Sequence, residues 1–218
     1  MNVYYLPLDV STWTPIDEQL LSAVSPQRRE RIKKYTYAAG RRLSLYAALL
    51  SRMSISLLTG IPAKDLAFRT DSGGKPVCLS APGLDFNFSH TKNAVLCCVS
   101  TEGAVGADIE KQRPAPLKIA KRFFHTEETE YVMNGPFQEQ DIRFFEIWTK
   151  KEAYSKQLGL GFQLSPESYS TLSSALSSQL HTWRQDDYLC SVCCNKPFSI
   201  EKTTVTEATV QTFFILNS

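Results

Sequence analysis

Asp108 and Glu110 stand in the run Gly106-Ala107-Asp108-Ile109-Glu110, directly after the apolar pair Ala104-Val105. On a strand they point to one side and Ile109 to the other. Two carboxylates side by side repel unless a cation lies between them, and an all-oxygen donor set of this kind suits Mg²⁺. A third carboxylate, Glu152, lies in Trp148-Thr149-Lys150-Lys151-Glu152-Ala153-Tyr154-Ser155-Lys156. Phe145, Trp148, Glu152 and Ser155 are spaced by three and four, so on a helix they share a face, with Lys156 one turn beyond Glu152. The expected chemistry is a divalent ion held where the strand end meets that helix. Taken singly, each piece is ordinary: D-x-E suits a solvated strand end, and Glu152–Lys156 suits a surface ion pair.

A second group of residues suits an anion. Ser25-Pro26 reads as a helix start. Behind it come Arg28, Arg29, Arg31, Lys33 and Lys34, with Arg42 at the start of the next helix. A charge run is usually a solvated face. Arg28 and Arg31, one turn apart, are also spaced to grip a phosphate through charge-assisted hydrogen bonds. The loop Asp71-Ser72-Gly73-Gly74-Lys75-Pro76 can bring backbone and the Lys75 ammonium to an anion, but it lacks P-loop spacing. Ser89 and His90 follow in Phe86-Asn87-Phe88-Ser89-His90. Adjacent side chains on extended chain diverge, so these two are not a nucleophile–base pair. Hydrogen bonding to phosphate oxygens is the better role.

The elements that must position these groups can be read in outline. Residues 3–10 read as a strand that Pro7 either demotes to an edge or ends. Ala38 to Thr59 reads as a helix, closed by Gly60 and Pro62, with Leu43, Tyr46, Ala47, Leu50, Met53, Ser54 and Leu57 on its apolar face. Ala94–Ser100, the turn Thr101-Glu102-Gly103 and Ala104–Ile109 read as a hairpin. Leu117 to Phe124 reads as a basic amphipathic helix, and Thr126 as the N-cap of a helix that opens with Glu127 and Glu128. Asn134-Gly135-Pro136 breaks that helix, and the helix of Glu152 ends near Leu158-Gly159. From Phe162 the chain changes character. Segments around Ser168–Leu172, Gln179–Arg184, Tyr188–Cys194 and Val210–Leu216 read as antiparallel strands, with Ser173–Ser178 as an exposed turn. His181 reads as structural. The fold class is α+β.

Composition narrows the partners. The 218 residues carry a net charge of +2, which gives no bulk electrostatic reason for nucleic acid or membrane binding. No apolar run approaches 18 residues, and the N-terminus does not read as a signal peptide. Cys190-x-x-Cys193 has a metal-like spacing, but on a strand these two positions face opposite sides. The six cysteines read as small core residues of a cytoplasmic protein.

G-x-D-x-E followed about forty residues later by W-x-x-K-E-A-x-x-K, with Gly74-Lys75-Pro76 and Phe86-Asn87-Phe88-Ser89-His90 upstream, resembles the 4'-phosphopantetheinyl transferases of the longer, single-chain, Sfp-type class. The motifs span residues 74 to 156, and weaker similarity extends the resemblance over most of the chain. It implies two similar α+β subdomains forming a pseudo-dimer, with the site at their interface. Residues 1–103 would be the coenzyme A adenine and 3'-phosphate side, and residues 104–218 the metal and carrier-protein side. It implies transfer of the 4'-phosphopantetheine arm of coenzyme A to a serine of an acyl or peptidyl carrier protein, with release of 3',5'-ADP. Such carriers serve fatty acid, polyketide and nonribosomal peptide biosynthesis.

By the same resemblance Asp108, Glu110 and Glu152 would hold Mg²⁺. Lys75, Ser89, His90 and Lys156 would face the phosphates, with Lys156 and His90 stabilising charge as the bond breaks. Arg28 and Arg31 would meet the 3'-phosphate and Arg42 the adenine end. Glu152 would take the serine proton. Either Glu127 or Glu128 matches the family's acidic residue after Phe-Phe. The expected partners are coenzyme A and an acidic carrier protein, with no nucleic acid, no membrane and a monomeric enzyme. The carrier is expected to dock beside Pro114–Phe124. Two other readings use the same residues differently: a non-catalytic binder of coenzyme A or another nucleotide, and a Mg²⁺-dependent pyrophosphate hydrolase.

Overall fold

The computed structural model describes residues 1–159 and 164–216; Phe162, where the sequence pattern changes, lies outside them. Two long helices organise the molecule, each backed by its own sheet. Helix α3 (Ala38–Thr59) follows α1 (Pro15–Leu20) and α2 (Pro26–Lys33). It buries Leu43, Tyr46, Ala47, Leu50, Met53 and Ser54 as their helical spacing predicts, while Leu57 is exposed. Gly60 ends it in the left-handed conformation at φ 73°, which a glycine adopts without a Cβ clash.

The first sheet has the order β4-β5-β1-β9, made of β1 (Asn2–Pro7), β4 (Asp85–Thr91), β5 (Ala94–Ser100) and β9 (Glu201–Thr204). A two-stranded ribbon, β2 (Phe68–Thr70) with β3 (Pro76–Cys78), precedes β4. The second sheet has the order β6-β8-β7, made of β6 (Val105–Lys111), β7 (Leu180–Gln185) and β8 (Tyr188–Cys194). On its outer side lies α6 (Gln140–Leu158), preceded by α4 (Leu117–Phe123) and α5 (Thr126–Met133). Alternation sorts each strand onto two faces. Tyr4, Leu6, Val95, Cys97 and Val99 pack toward α3, while Val3, Tyr5, Leu96 and Cys98 meet Val105, Ala107, Ile109, Cys190, Val192 and Cys194 of the second sheet. The result is helix, sheet, sheet, helix: an α+β protein with two helix-backed units. All six cysteines are free and buried.

Four sequence expectations are corrected. Ala94–Ser100 does not form a hairpin with the strand of Asp108. It pairs with β4 across the two-residue turn Lys92-Asn93 and with β1, while β6 pairs with β8. Val210–Leu216 is not a strand but the end of α8 (Glu207–Leu216). Thr206 accepts the Thr209 N–H at its start, and Val210 and Phe214, four apart, are the buried pair. Ser168–Leu172 is not a strand, because side chains take its backbone groups: Lys151 donates to Pro166 O and Tyr169 O, and Glu128 accepts from Thr171 N. The N-cap of α5 is His125 rather than Thr126, in a reciprocal capping box with Glu128. The exposed turn at Ser173–Ser178 contains a single helical turn, α7 (Ser174–Ser177).

The step from residue 103 to 104 falls between β5 and β6, so it separates the two sheets. The chain does not stay on the second side. β9 pairs in parallel with β1, and α8 brings Glu207 to Arg42 of α3, so residues 201–216 are built into the first unit.

Candidate active site

Glycine decides how close β6 comes to α6. A Cβ on Gly106 would fall 2.0 Å from Ala153 O, so only glycine lets the strand lie against the helix there. Two residues on, Asp108 points at α6. Its Oδ1 accepts from Lys156 Nζ at 2.6 Å and from Ser89 Oγ at 2.8 Å. Its Oδ2 is buried and has no hydrogen-bond partner among the described residues. Ile109 turns to the inter-sheet core and Glu110 returns to the side of Asp108, where Arg113 Nη1 donates to it at 2.8 Å.

The three expected carboxylates repel one another. Burial first, and then Asp108, pushes the Glu152 carboxyl above its ordinary range, and Glu110 adds to the rise. Burial likewise raises Glu110, where the Arg113 hydrogen bond opposes it and Asp108 reinforces it. Among the described residues no three His, Cys, Asp or Glu side chains are gathered closely enough to enclose a metal ion as they stand. The donor chemistry nevertheless fits a hard cation: oxygen donors only, mutual repulsion, and one buried oxygen without a partner.

Across the seam the charge reverses. Arg28 on α2 donates to Ser44 O and lies over the Phe88 ring at 5.4 Å. Burial and the nearby Arg31 lower its pKa to about 10. His90 is exposed as a residue, yet its ring stands among cations. Loss of surrounding water, then repulsion from Arg28, Lys156 and Arg31, lowers its pKa to about 4. Because His90 keeps much of its surface, the repulsion is the part that points to an anion. The structure thus brings Arg28, Arg31, Ser89, His90, Asp108, Glu110, Glu152 and Lys156 into one neighbourhood.

Beside this group runs a cleft of about 820 Å³, which shares Glu152 and Lys156 with it and is lined among others by Gly74, Lys75, Phe88, Phe123 and Trp148. The loop before Lys75 fits because Gly73 is a glycine: a Cβ there would lie 1.7 Å from Gly159 O at the end of α6. The Lys75 ammonium is engaged by Asp85 Oδ2 at 2.6 Å and Val105 O at 2.8 Å.

Three expected roles look different in the structure. Arg42 is buried away from this group, in contact with Asp17, Glu207, Tyr46 and Asp9 O, so it ties α8 to the first unit. Glu128 is fully buried and paired with Lys151 at 2.7 Å, and Glu127 accepts from Ser170 at 2.7 Å. Both hold the segment that forms one wall of the cleft. Lys151, inside the motif but assigned no role by sequence, is the brace of that wall. The signal for it was only its place beside Glu152.

Residues 11–102 match the family described as 4'-phosphopantetheinyl transferase, N-terminal, and residues 104–203 match the 4'-phosphopantetheinyl transferase superfamily. The chain is similar to the 4'-phosphopantetheinyl transferase Sfp of Bacillus subtilis (strain 168), with 32% identity over 170 residues, covering 78% of this chain and 75% of that protein. It is similar to the 4'-phosphopantetheinyl transferase psf-1 of Bacillus pumilus, with 31% identity over 208 residues and 89% of each chain covered. It is also similar to the 4'-phosphopantetheinyl transferase AcpT of Salmonella typhimurium, with 32% identity over 193 residues, covering 87% of this chain and 92% of that protein.

Proposed function

The chain belongs to the 4'-phosphopantetheinyl transferase family, and we propose from that premise how its own residues carry the transfer of phosphopantetheine from coenzyme A to a carrier protein. Arg28, Arg31 and His90 hold the 3'-phosphate, where an anion relieves their mutual repulsion. Lys75, Ser89 and Lys156 face the pyrophosphate. The carrier serine Oγ attacks the phosphorus that bears the pantetheine arm. The bond from that phosphorus to the oxygen of the adenosine 5'-phosphate breaks, and 3',5'-ADP leaves. Glu152 accepts the serine proton, directly or through water. Lys156 and His90 stabilise the charge that develops on the leaving phosphate. A Mg²⁺ ion bound by Asp108, Glu110 and Glu152 would supply electrophilic stabilisation of the pyrophosphate oxygens.

The observation that carries this reading is the buried Oδ2 of Asp108, without a partner among the described residues, beside two carboxylates that Asp108 helps to drive up and near Arg28 and His90, which are both driven down. Six buried free thiols suit a reducing compartment and support the cytoplasmic reading. No described helix is long and apolar enough to cross a membrane. The test is mass spectrometry of an apo carrier protein after incubation with this protein, coenzyme A and Mg²⁺. The expected result is a mass gain of one phosphopantetheine, lost in EDTA and restored by Mg²⁺ or Mn²⁺. Cleavage of coenzyme A without carrier modification would instead identify a hydrolase, and binding without cleavage a binder.

A further inference from the structure

Two walls of opposite charge act on one substrate only if they are held at a fixed spacing, and no β-ladder joins them: β4 is an edge of the first sheet and β6 an edge of the second. The N–H groups of Val105 and Ala107 point away from β8, toward β4, and there they meet side chains instead of backbone. Asp85 Oδ2 accepts from Val105 N at 2.7 Å, and Asn87 Oδ1 accepts from Ala107 N at 3.0 Å. Ser89 Oγ continues the series onto Asp108 Oδ1. Asp85, Asn87 and Ser89 are alternate residues, so one face of β4 presents all three, while Phe86 and Phe88 turn to the core of α3. Asp85 also holds Lys75 at the lip of the cleft.

We infer that Asp85 and Asn87 are positioning residues for the transfer: their side-chain comb sets the register of the anion wall against the carboxylate wall. Backbone pairing would bring β4 and β6 to the usual strand spacing of about 4.8 Å. A side chain between them keeps the strands apart and still fixes their register. Asn87 is 6% exposed, so the Ala107 N–H has no ready access to water once this acceptor is gone. A slip along the seam moves His90 and Ser89 relative to Asp108 and Glu110, and a displacement of about 1 Å between reacting groups costs on the order of a hundredfold in rate.

The inference rests on the reading above, so the experiment pairs two measurements on the wild type and on Asn87→Leu, which keeps volume and removes the acceptor. One is kcat for carrier modification. The other is calorimetric binding of 3',5'-ADP in EDTA, which reports the phosphate-binding groups without a metal on the carboxylates. Asn87→Leu is expected to bind 3',5'-ADP at one per chain with Kd within about threefold of wild type, while kcat falls at least about tenfold. Asp85→Asn, which keeps an acceptor for Val105 N, is expected to lose much less than Asp85→Leu; these two variants carry the test if Asn87→Leu does not fold. A kcat that falls only in proportion to the number of 3',5'-ADP sites, or equal losses in Asp85→Asn and Asp85→Leu, would overturn the positioning role and leave the transferase reading standing. A wild type that modifies no carrier would overturn both.

Discussion

Two clusters of charge among the described residues differ in what holds them together. Around Arg42, one guanidinium serves two carboxylates, Asp17 and Glu207. Tyr46 donates to Asp17 at 3.0 Å, and Gln211 donates to Glu207 at 2.9 Å. Around Asp108 the opposite holds. Glu110 and Glu152 are driven up, Oδ2 of Asp108 has no partner among the described residues, and His90 and Arg28 are driven down a short way off. Networks of closely paired opposite charges fix a fold, while like charges crowded beside a cleft mark places where something binds. Both clusters contain residues that motif matching proposed for the substrate, and opposite-charge pairing in one against like-charge crowding in the other separates them.

The sharpest way to break this contrast is to remove one member from each cluster. Arg42→Met leaves the buried Asp17 and the partly exposed Glu207 without their cation and should cost about 3 kcal/mol of stability. Its kcat per folded molecule and its affinity for coenzyme A should change little. Asp108→Ala should do the reverse. It removes a source of repulsion on Glu110 and Glu152, so thermal stability should hold, while transfer falls at least about tenfold with the loss of a charge-stabilising ligand. Denaturant melts and carrier-labelling rates on the two variants decide the matter. If Arg42→Met retains its stability and loses coenzyme A, the Arg42 cluster is the substrate site after all.

The contrast also shows why some of the molecule was legible in sequence and some was not. Helical spacing with the Gly60 stop gave α3 nearly to the residue, and for α6 the end at Leu158–Gly159 was legible while its start was not. The G-x-D-x-E run was readable down to its geometry, since alternation alone places Asp108 and Glu110 opposite Ile109. Pairing was not readable. Ala94–Ser100 is buried on both faces, so its pattern could not say which strand lies beside it. The segment Val210–Leu216 shows both periods, and its Thr206 cap lies outside the apolar run. The polar alternation of Asp85, Asn87 and Ser89 between two phenylalanines was visible, but its partner strand is about twenty residues away in sequence and in another sheet. Arg42 looked like part of the anion cluster because its partners, Asp17 and Glu207, are distant in sequence.

A smaller effect tests the frustration itself through pH. Glu110 and Glu152 keep their protons to higher pH in the folded chain than in the unfolded one. Without metal, their penalty is therefore fully present above the raised values, and stability recovers as pH falls through them. Mg²⁺ should accordingly raise the melting temperature more at about pH 7 than at about pH 5. His90 runs the other way. Its folded pKa near 4, against 6.5 for a free imidazole, means that the folded chain refuses a proton between those values. A phosphate placed among Arg28, Arg31 and His90 should reverse this, so 3',5'-ADP should bind with proton uptake in that window. Calorimetry in two buffers of different ionisation enthalpy measures the uptake. Because the phosphates of 3',5'-ADP themselves release protons on binding cations, the difference between wild type and His90→Asn is what counts, and equal net proton exchange in the two would remove His90 from the anion wall.

The smallest effect belongs to charges that lie outside both clusters. Lys118, Lys121 and Arg122 are exposed on α4, and Arg122 and Phe123 line the cleft, while Phe124 is buried in the core beneath. Exposed charges are screened and contribute little to stability, so they tell nothing about the fold. They can steer a partner. The carrier serine must reach a phosphorus between the two walls, so the carrier has to rest on a surface beside the cleft, and α4 is one such surface. For an acidic carrier, reversing Lys118 and Lys121 to Glu should raise its KM about three- to tenfold at low salt, through a slower encounter. The salt dependence of the rate should flatten with it. Coenzyme A affinity and melting temperature should stay at wild-type values, because neither residue touches the anion wall or the core. A double reversal that leaves the carrier KM unchanged at low ionic strength would move the docking face away from α4, and the contrast between the two buried clusters would not depend on it.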